Sequence, residues 1–153
     1  MIIYRIANSK FKQFTLSGIG SEKFGGRWNE IGTRAVYCSE NRALALLEYY
    51  VHSDNVALLP KDLLLAVIEI PDEFPVKTLE KMPERWKQYP YSSKTTAVFT
   101  KHVHQEDFFA LKVPSTIVPM EDNIILNPLY SRFSEVKIKE FHKVPLDARL
   151  KRR

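Results

Sequence analysis

The chain is poor in the residues that would make several explanations easy. It has one cysteine, Cys38, so no internal disulfide is available. No run approaches the ~18 apolar residues that a membrane-spanning helix needs. The start, MIIYRIANSK, lacks the basic opening and long apolar stretch of a signal peptide. These absences together lead us to expect a cytoplasmic protein with no membrane partner. There is no GxxxxGK[ST], and GIGSEKFGG does not supply the GxGxxG spacing between a strand and a helix. His102 and His104 lie two apart without a cysteine or acidic cluster, so no metal site is expected. Ser115 has no GxSxG around it, and Cys38 reads as a small buried hydrophobe rather than a nucleophile. No repeat or low-complexity segment is present.

What is there suffices for one domain. The 153 residues can build a single core, with 44% hydrophobic and 27% charged residues. The net charge is +5 and the pI about 9.3. Part of that excess is a basic tail from about residue 147, with Arg149, Lys151, Arg152 and Arg153. The remaining charges are spread out and form no basic stripe interleaved with aromatics, so direct nucleic-acid binding is not expected. No heptad is visible; an oligomer is compatible with the sequence.

Residues 24–48, FGGRWNEIGTRAVYCSENRALALLE, organise the chain. They bring together a glycine pair, a cation, an aromatic ring, a short strand and a helix carrying Glu48. Gly25 and Gly26 either form an ordinary turn or let the backbone approach a ligand. Ala35–Cys38 reads as a strand, and Ser39 as the N-cap of a helix reaching about Val51. On that helix Ala43, Leu47, Tyr50 and Val51 share a face with Leu44 beside them, which places Glu48 at the border of the stripe. Glu48 is then either a solvated or lysine-paired carboxylate, or one held at a pocket rim.

Elsewhere, Ile2–Ile6 and Asp62–Ile70 read as strands, the latter as a central one. Residues 71–90 are punctuated by proline and read as a surface excursion in which Trp86 is a packing anchor. Ser92 or Ser93 caps a helix from Thr95 to His104. Phe108–Pro114 and Thr116–Pro119 read as two strand pieces, and NIILNP as a short apolar piece closed by a turn. Val136, Ile138 and Phe141 mark a late strand. Short strands interleaved with helices and lacking a regular βαβ rhythm give an α+β class. The expected form is a single compact domain with a mixed, mostly antiparallel sheet flanked by helices.

These motifs resemble the RES domain family, named for its Arg, Glu and Ser. The resemblance runs through YRI at Tyr4–Ile6, GGRWN at Gly25–Asn29, Gly32, VYCS at Val36–Ser39 and ALALLE at Ala43–Glu48. It ends on KVPSTIVPMEDNIILNP at Lys112–Pro128. It spans most of the chain and implies one RES domain over 1–153 with an ADP-ribosyltransferase-like fold. It also implies a bacterial toxin of a type II toxin–antitoxin pair that uses NAD as substrate. Some members cleave the nicotinamide–ribose bond, with water or phosphate as acceptor; others transfer ADP-ribose to a protein. The partner is an antitoxin with an Xre-like DNA-binding domain. Carried onto this chain, the family's residues are Arg27, Tyr37, Glu48 and Ser115, with Asn127 matching the asparagine of the NP motif. One segment departs: many members carry Gly-Asp-x-Trp before the VPS, whereas VFTKHVHQEDFFALKVPS has neither glycine nor tryptophan.

The resemblance implies roles that chemistry makes sense of. Cleaving nicotinamide from ribose calls for stabilising an oxocarbenium-like sugar, and Glu48 is the carboxylate for it. Arg27 offers a planar fork for the pyrophosphate or for orienting Glu48; its structural alternative is a salt bridge. Arg5 is a second cation for the pyrophosphate, or a structural one. Tyr37 stacks on nicotinamide or bonds the ribose, against a role as core tyrosine. Ser115 positions substrate by a hydrogen bond, or caps the bend after Pro114. Asn127 either holds its loop or touches substrate.

Overall fold

A computed structural model describes residues 1–53 and 62–144. The basic tail lies outside the described residues. Seven segments of branched and apolar residues pair into one sheet: β1 (Ile2–Asn8), β2 (Val36–Ser39), β3 (Leu63–Glu69), β4 (Val76–Thr78), β5 (Ala110–Pro114), β6 (Asp122–Leu126) and β7 (Lys137–Val144). Their order is β4-β5-β6-β2-β1-β3-β7, with β4–β5 parallel and the other pairs antiparallel. Helices α1 (Ile19–Phe24), α2 (Arg42–Val51) and α3 (Ser93–Thr100) complete an α+β fold compatible with an ADP-ribosyltransferase-like architecture.

Alternation sorts the strands' side chains onto two faces. One face carries Ile3, Val36, Cys38, Ala66, Ile68, Ile124 and Leu126 into a single large core. Phe74 and Phe109 meet edge to face there, 4.7 Å apart. Ile138 and Phe141 both join this core although they lie three positions apart, an odd spacing that alternation alone would put on opposite faces. A register shift opposite Val67/Ile68 bulges β7 and restores the facing. The other face is covered in two separate patches. Trp28, Phe99, Phe108, Leu111, Val113 and Ile125 form one, and Ile6, Ala45, Leu63 and Leu65 form the other. Between the patches lies the seam of β2 and β1, which pair only through Tyr4 and Ser39.

The structure corrects several sequence expectations. The cap of α2 is Asn41, whose side chain accepts from Leu44 N at 2.8 Å. Ser39 stays in β2 and donates to Asn123 Oδ1 at 2.6 Å. The inward face of α2 is Leu44 and Ala45, while Leu47 and Val51 are exposed. The helix is apolar on both sides, so periodicity alone did not choose the face. Glu48, one turn beyond Leu44, is then partly buried on that side rather than solvated. Thr116–Pro119 is a turn, not a strand, because Ser115 Oγ accepts from the amides of Ile117 and Val118, each at 3.0 Å. β3 is bonded on both sides but is next to the sheet edge. The surface excursion after Pro71 contributes β4. Helix α3 is capped by Ser92 and ends at Thr100.

Candidate active site

A cleft of about 500 Å³ opens over the β1–β2 seam, between the two apolar patches. Its walls come from β1, β2, α2, the loop after α1 and the segment before α3. A volume of this order suits a small-molecule ligand. Among the sequence-derived candidates, Arg5, Arg27, Tyr37 and Glu48 line it.

Glu48 is held rather than solvated. Its side chain is 17% exposed. Oε1 accepts from Ser115 Oγ at 2.8 Å and from Asn123 Nδ2 at 2.6 Å. Oε2 lies 3.5 Å from His52 Nδ1, one helical turn on, and no lysine reaches the carboxylate among the described residues. One oxygen is thus fixed by two neutral donors and the other is left for the cleft. Such a carboxylate meets developing positive charge without having to reorganise.

Ser115 is buried and does not line the cleft. Its hydroxyl donates to Glu48 and accepts from two backbone amides, so its geometry orients the carboxylate. Asn123 continues the network, since its Oδ1 accepts from Ser39 in the neighbouring strand.

The glycine-rich loop is shaped by close approach. A Cβ on Gly26 would stand 2.6 Å from Tyr37 Oη and 2.8 Å from Asn29 Oδ1, so no larger residue fits. Gly25 adopts a φ of 70°, in the left-handed region. Asn29 is fully buried and donates to the carbonyls of Ser21, Glu30 and Thr33, which clasps the loop. Tyr37 donates to Asn29 Oδ1 at 2.7 Å and accepts from Trp28 N at 3.1 Å. Burial pushes its phenol above the ordinary tyrosine range, so it stays protonated and acts as a fixed donor. The ring lines the cleft while the hydroxyl belongs to the loop.

Arg27 makes no salt bridge with a carboxylate among the described residues. Nor does it bond Glu48. Its Nη1 donates to the carbonyls of Trp86 at 2.6 Å and Gln88 at 3.2 Å. The guanidinium also stands 4.7 Å from the Tyr91 ring centre. Trp86 packs on Trp28 with centroids 5.7 Å apart, in keeping with its expected role as an anchor. Arg27 thus stands at the cleft wall bonded to backbone carbonyls and stacked on an aromatic ring.

Arg5 occupies the seam. Where β1 and β2 part, its Nη1 donates to the carbonyl of Tyr37 at 2.5 Å. Its Nε is buried without a partner. Cys38 beside it is buried, and its thiol is pushed up to about 12 by desolvation, with Arg5 opposing the shift. A thiol so shifted is not a nucleophile at neutral pH.

Asn127 lies away from the cleft. It is buried, donates to the carbonyls of Val103 and Phe108, each at 2.8 Å, and accepts from Leu129 N at 3.0 Å. Every polar atom of its amide is engaged, so the loop-holding alternative is the one realised. Asn127→Ala strips two buried carbonyls of their donor. We expect a loss of about 1–3 kcal/mol per carbonyl in chemical denaturation, with ligand affinity of the folded fraction unchanged. The departing segment before the VPS also turns inward, since Phe99, Val103 and Phe108 are core residues. Among the described residues no three His, Cys, Asp or Glu side chains are grouped to hold a metal ion.

Comparison with known proteins places this geometry. The model of the RES domain matches residues 2–147. The chain belongs to the RES domain family. It is 36% identical to the protein named Toxin Res of Photorhabdus laumondii, over 94% of this chain and 86% of that relative. A Toxin Res of Yersinia enterocolitica is 35% identical over 87% of this chain and 88% of its own length. The Prs ADP-ribosylating toxin of a Sphingobium species is 36% identical over 90% and 88% respectively.

Three cleft residues of this RES domain escaped the sequence reading: Asn123, His52 and Tyr91. Asn123 stands in the quoted family motif, and the pairing of Ser39 with Asn123 across β2 and β6 is what delivers it to Glu48. His52 was legible as the residue one turn after Glu48. Tyr91 carried no signal, because it lies in an irregular segment whose path only the fold reveals.

Proposed function

We propose that this protein is the toxin of a bacterial type II toxin–antitoxin pair, and that it consumes NAD by cleaving the nicotinamide–ribose bond. The observation that carries the reading is Glu48, fixed through one oxygen by Ser115 and Asn123 and presenting the other to a cleft. Arg27, charged and without a carboxylate partner among the described residues, suits the pyrophosphate of the same ligand. The names of the relatives from Photorhabdus, Yersinia and Sphingobium support the toxin assignment.

In the reaction, the glycosidic C–N bond breaks and its electron pair leaves with neutral nicotinamide. The ribose becomes oxocarbenium-like, and the Glu48 carboxylate stabilises that charge. Water or phosphate then bonds to the anomeric carbon; water loses a proton as it adds. Tyr37 offers a ring face at the cleft, and Arg5 offers a second cation at the seam.

A second reading, transfer of ADP-ribose to a protein, is favoured by the printed name of the Sphingobium relative. We take the partner to be an antitoxin with an Xre-like DNA-binding domain. The rim is apolar enough for a protein contact: Phe24 is 82% exposed and Tyr89 75%.

The test is a mass-spectrometric time course of NAD with purified protein, with and without inorganic phosphate. We expect nicotinamide release with ADP-ribose in water, or with its phosphorylated form when phosphate is supplied. No loss of NAD in either buffer would overturn NAD consumption with these acceptors and leave protein transfer.

A further inference from the structure

The segment from Trp86 to Ser92 contributes Tyr89 and Tyr91 to the cleft that Arg27 and Glu48 also line. It is pinned at its start, where Arg27 holds the carbonyls of Trp86 and Gln88. It is pinned at its end, where Ser92 caps α3 and accepts from Thr95 N at 3.3 Å. Tyr91 sits between these fixed points and lines the cleft half-buried. Arg27 stacks over its ring at 4.7 Å, and Tyr89 braces it edge-on with centroids 5.4 Å apart and planes at 84°. Burial raises the Tyr91 phenol; Arg27 opposes that shift and Glu48 adds to it, so the side chain is within the field of both charges.

We propose that Tyr91 is a substrate-binding residue whose ring closes the cleft over the nicotinamide-bearing ribose, between the pyrophosphate anchor Arg27 and the carboxylate of Glu48. The inference rests on the NAD-consuming reading and adds a subsite to it. A dinucleotide with its pyrophosphate at Arg27 and its anomeric carbon at Glu48 must lay the intervening ribose along Tyr91. A ring there excludes bulk water from the reacting carbon on that side. It also resists displacement, because its position is set by a cation on one side and an aromatic edge on the other.

The test compares wild type, Tyr91→Ala and Tyr91→Phe by isothermal titration with NAD, nicotinamide mononucleotide and ADP, and by NAD turnover. For Tyr91→Ala we expect KM for NAD and Kd for nicotinamide mononucleotide to rise roughly five- to ten-fold, with ADP affinity nearly unchanged, from the loss of one aromatic face. Tyr91→Phe keeps the ring and should restore both. A purely structural tyrosine would lower the melting temperature and kcat without separating the two half-ligands. Wild-type affinity for nicotinamide mononucleotide in Tyr91→Ala, or an equal loss for ADP, overturns the proposal alone. Wild-type protein that binds nicotinamide mononucleotide through Tyr91 yet turns over no NAD overturns the hydrolytic and phosphorolytic reading alone. Absence of both binding and turnover overturns both.

Discussion

Glu48→Gln should slow NAD turnover by orders of magnitude while leaving the protein folded. The substitution is unusually clean because of how the carboxylate is held. The amide oxygen of glutamine can accept the same two hydrogen bonds from Ser115 and Asn123 that Oε1 accepts now. The amide nitrogen then takes the place of Oε2, towards the cleft and His52. Shape and positioning survive; the negative charge does not, and a pair of donors faces the developing cation. Loss of a preorganised electrostatic group of this kind costs roughly 10²–10³-fold in kcat. The measurement is single-turnover NAD cleavage alongside a thermal melt. Near-normal rates would remove Glu48 from the chemistry, whereas a collapsed melt would make it a fold residue.

Arg27→Ala is expected to act mainly on binding. Arg27 has no carboxylate partner among the described residues, so its removal does not bury an orphaned charge. It does remove the donor to Trp86 and Gln88 and the cation over Tyr91. If its remaining donors take pyrophosphate, losing charge-assisted hydrogen bonds worth about 1.5–3 kcal/mol raises KM for NAD by roughly 10- to 150-fold. Arg27→Lys keeps the charge but not the fork, and should fall between the two. Tryptophan fluorescence reports the second consequence, because Trp86 packs on Trp28 beside the bond that is cut. A variant that fails to fold would make Arg27 a structural clamp of this segment. A folded variant with unchanged KM would move the pyrophosphate to Arg5.

Much of this site could be read in the chain because its parts are local. The strand VYCS and the helix after it follow one another with a two-residue link, so Tyr37 and Glu48 are delivered to one place by short-range structure. What escaped is long-range. The bond between Ser115 and Glu48 joins positions 67 residues apart, and periodicity says nothing about such a distance. The inward face of α2 was misread because RALALLEYYV has apolar residues on both sides. The buried side is marked by Leu44 and Ala45 together with the hydrogen bonds to Glu48. Ser39 was misread as a cap because serine and asparagine compete for that place within three residues, and the strand claims the serine. Asn127 shows the converse: a motif asparagine whose amide is spent on its own turn at Leu129 and on the carbonyls of Val103 and Phe108 before β5.

The parting of β1 from β2 has a mechanical consequence. With Tyr4 and Ser39 as the only paired position, the sheet divides into two continuously paired panels joined at a crease. The panel of β4, β5, β6 and β2 carries Tyr37, Asn123 and Ser115 at its margin. The panel of β1, β3 and β7 carries Arg5 and underlies α2 through Ala45. Glu48 is tied across the crease by its bonds to Ser115 and Asn123, and Arg5 is tied across it by its bond to Tyr37. The cleft thus sits over the most sparsely paired junction of the sheet, and the polar bonds that hold Glu48 and Arg5 also tie its two walls together.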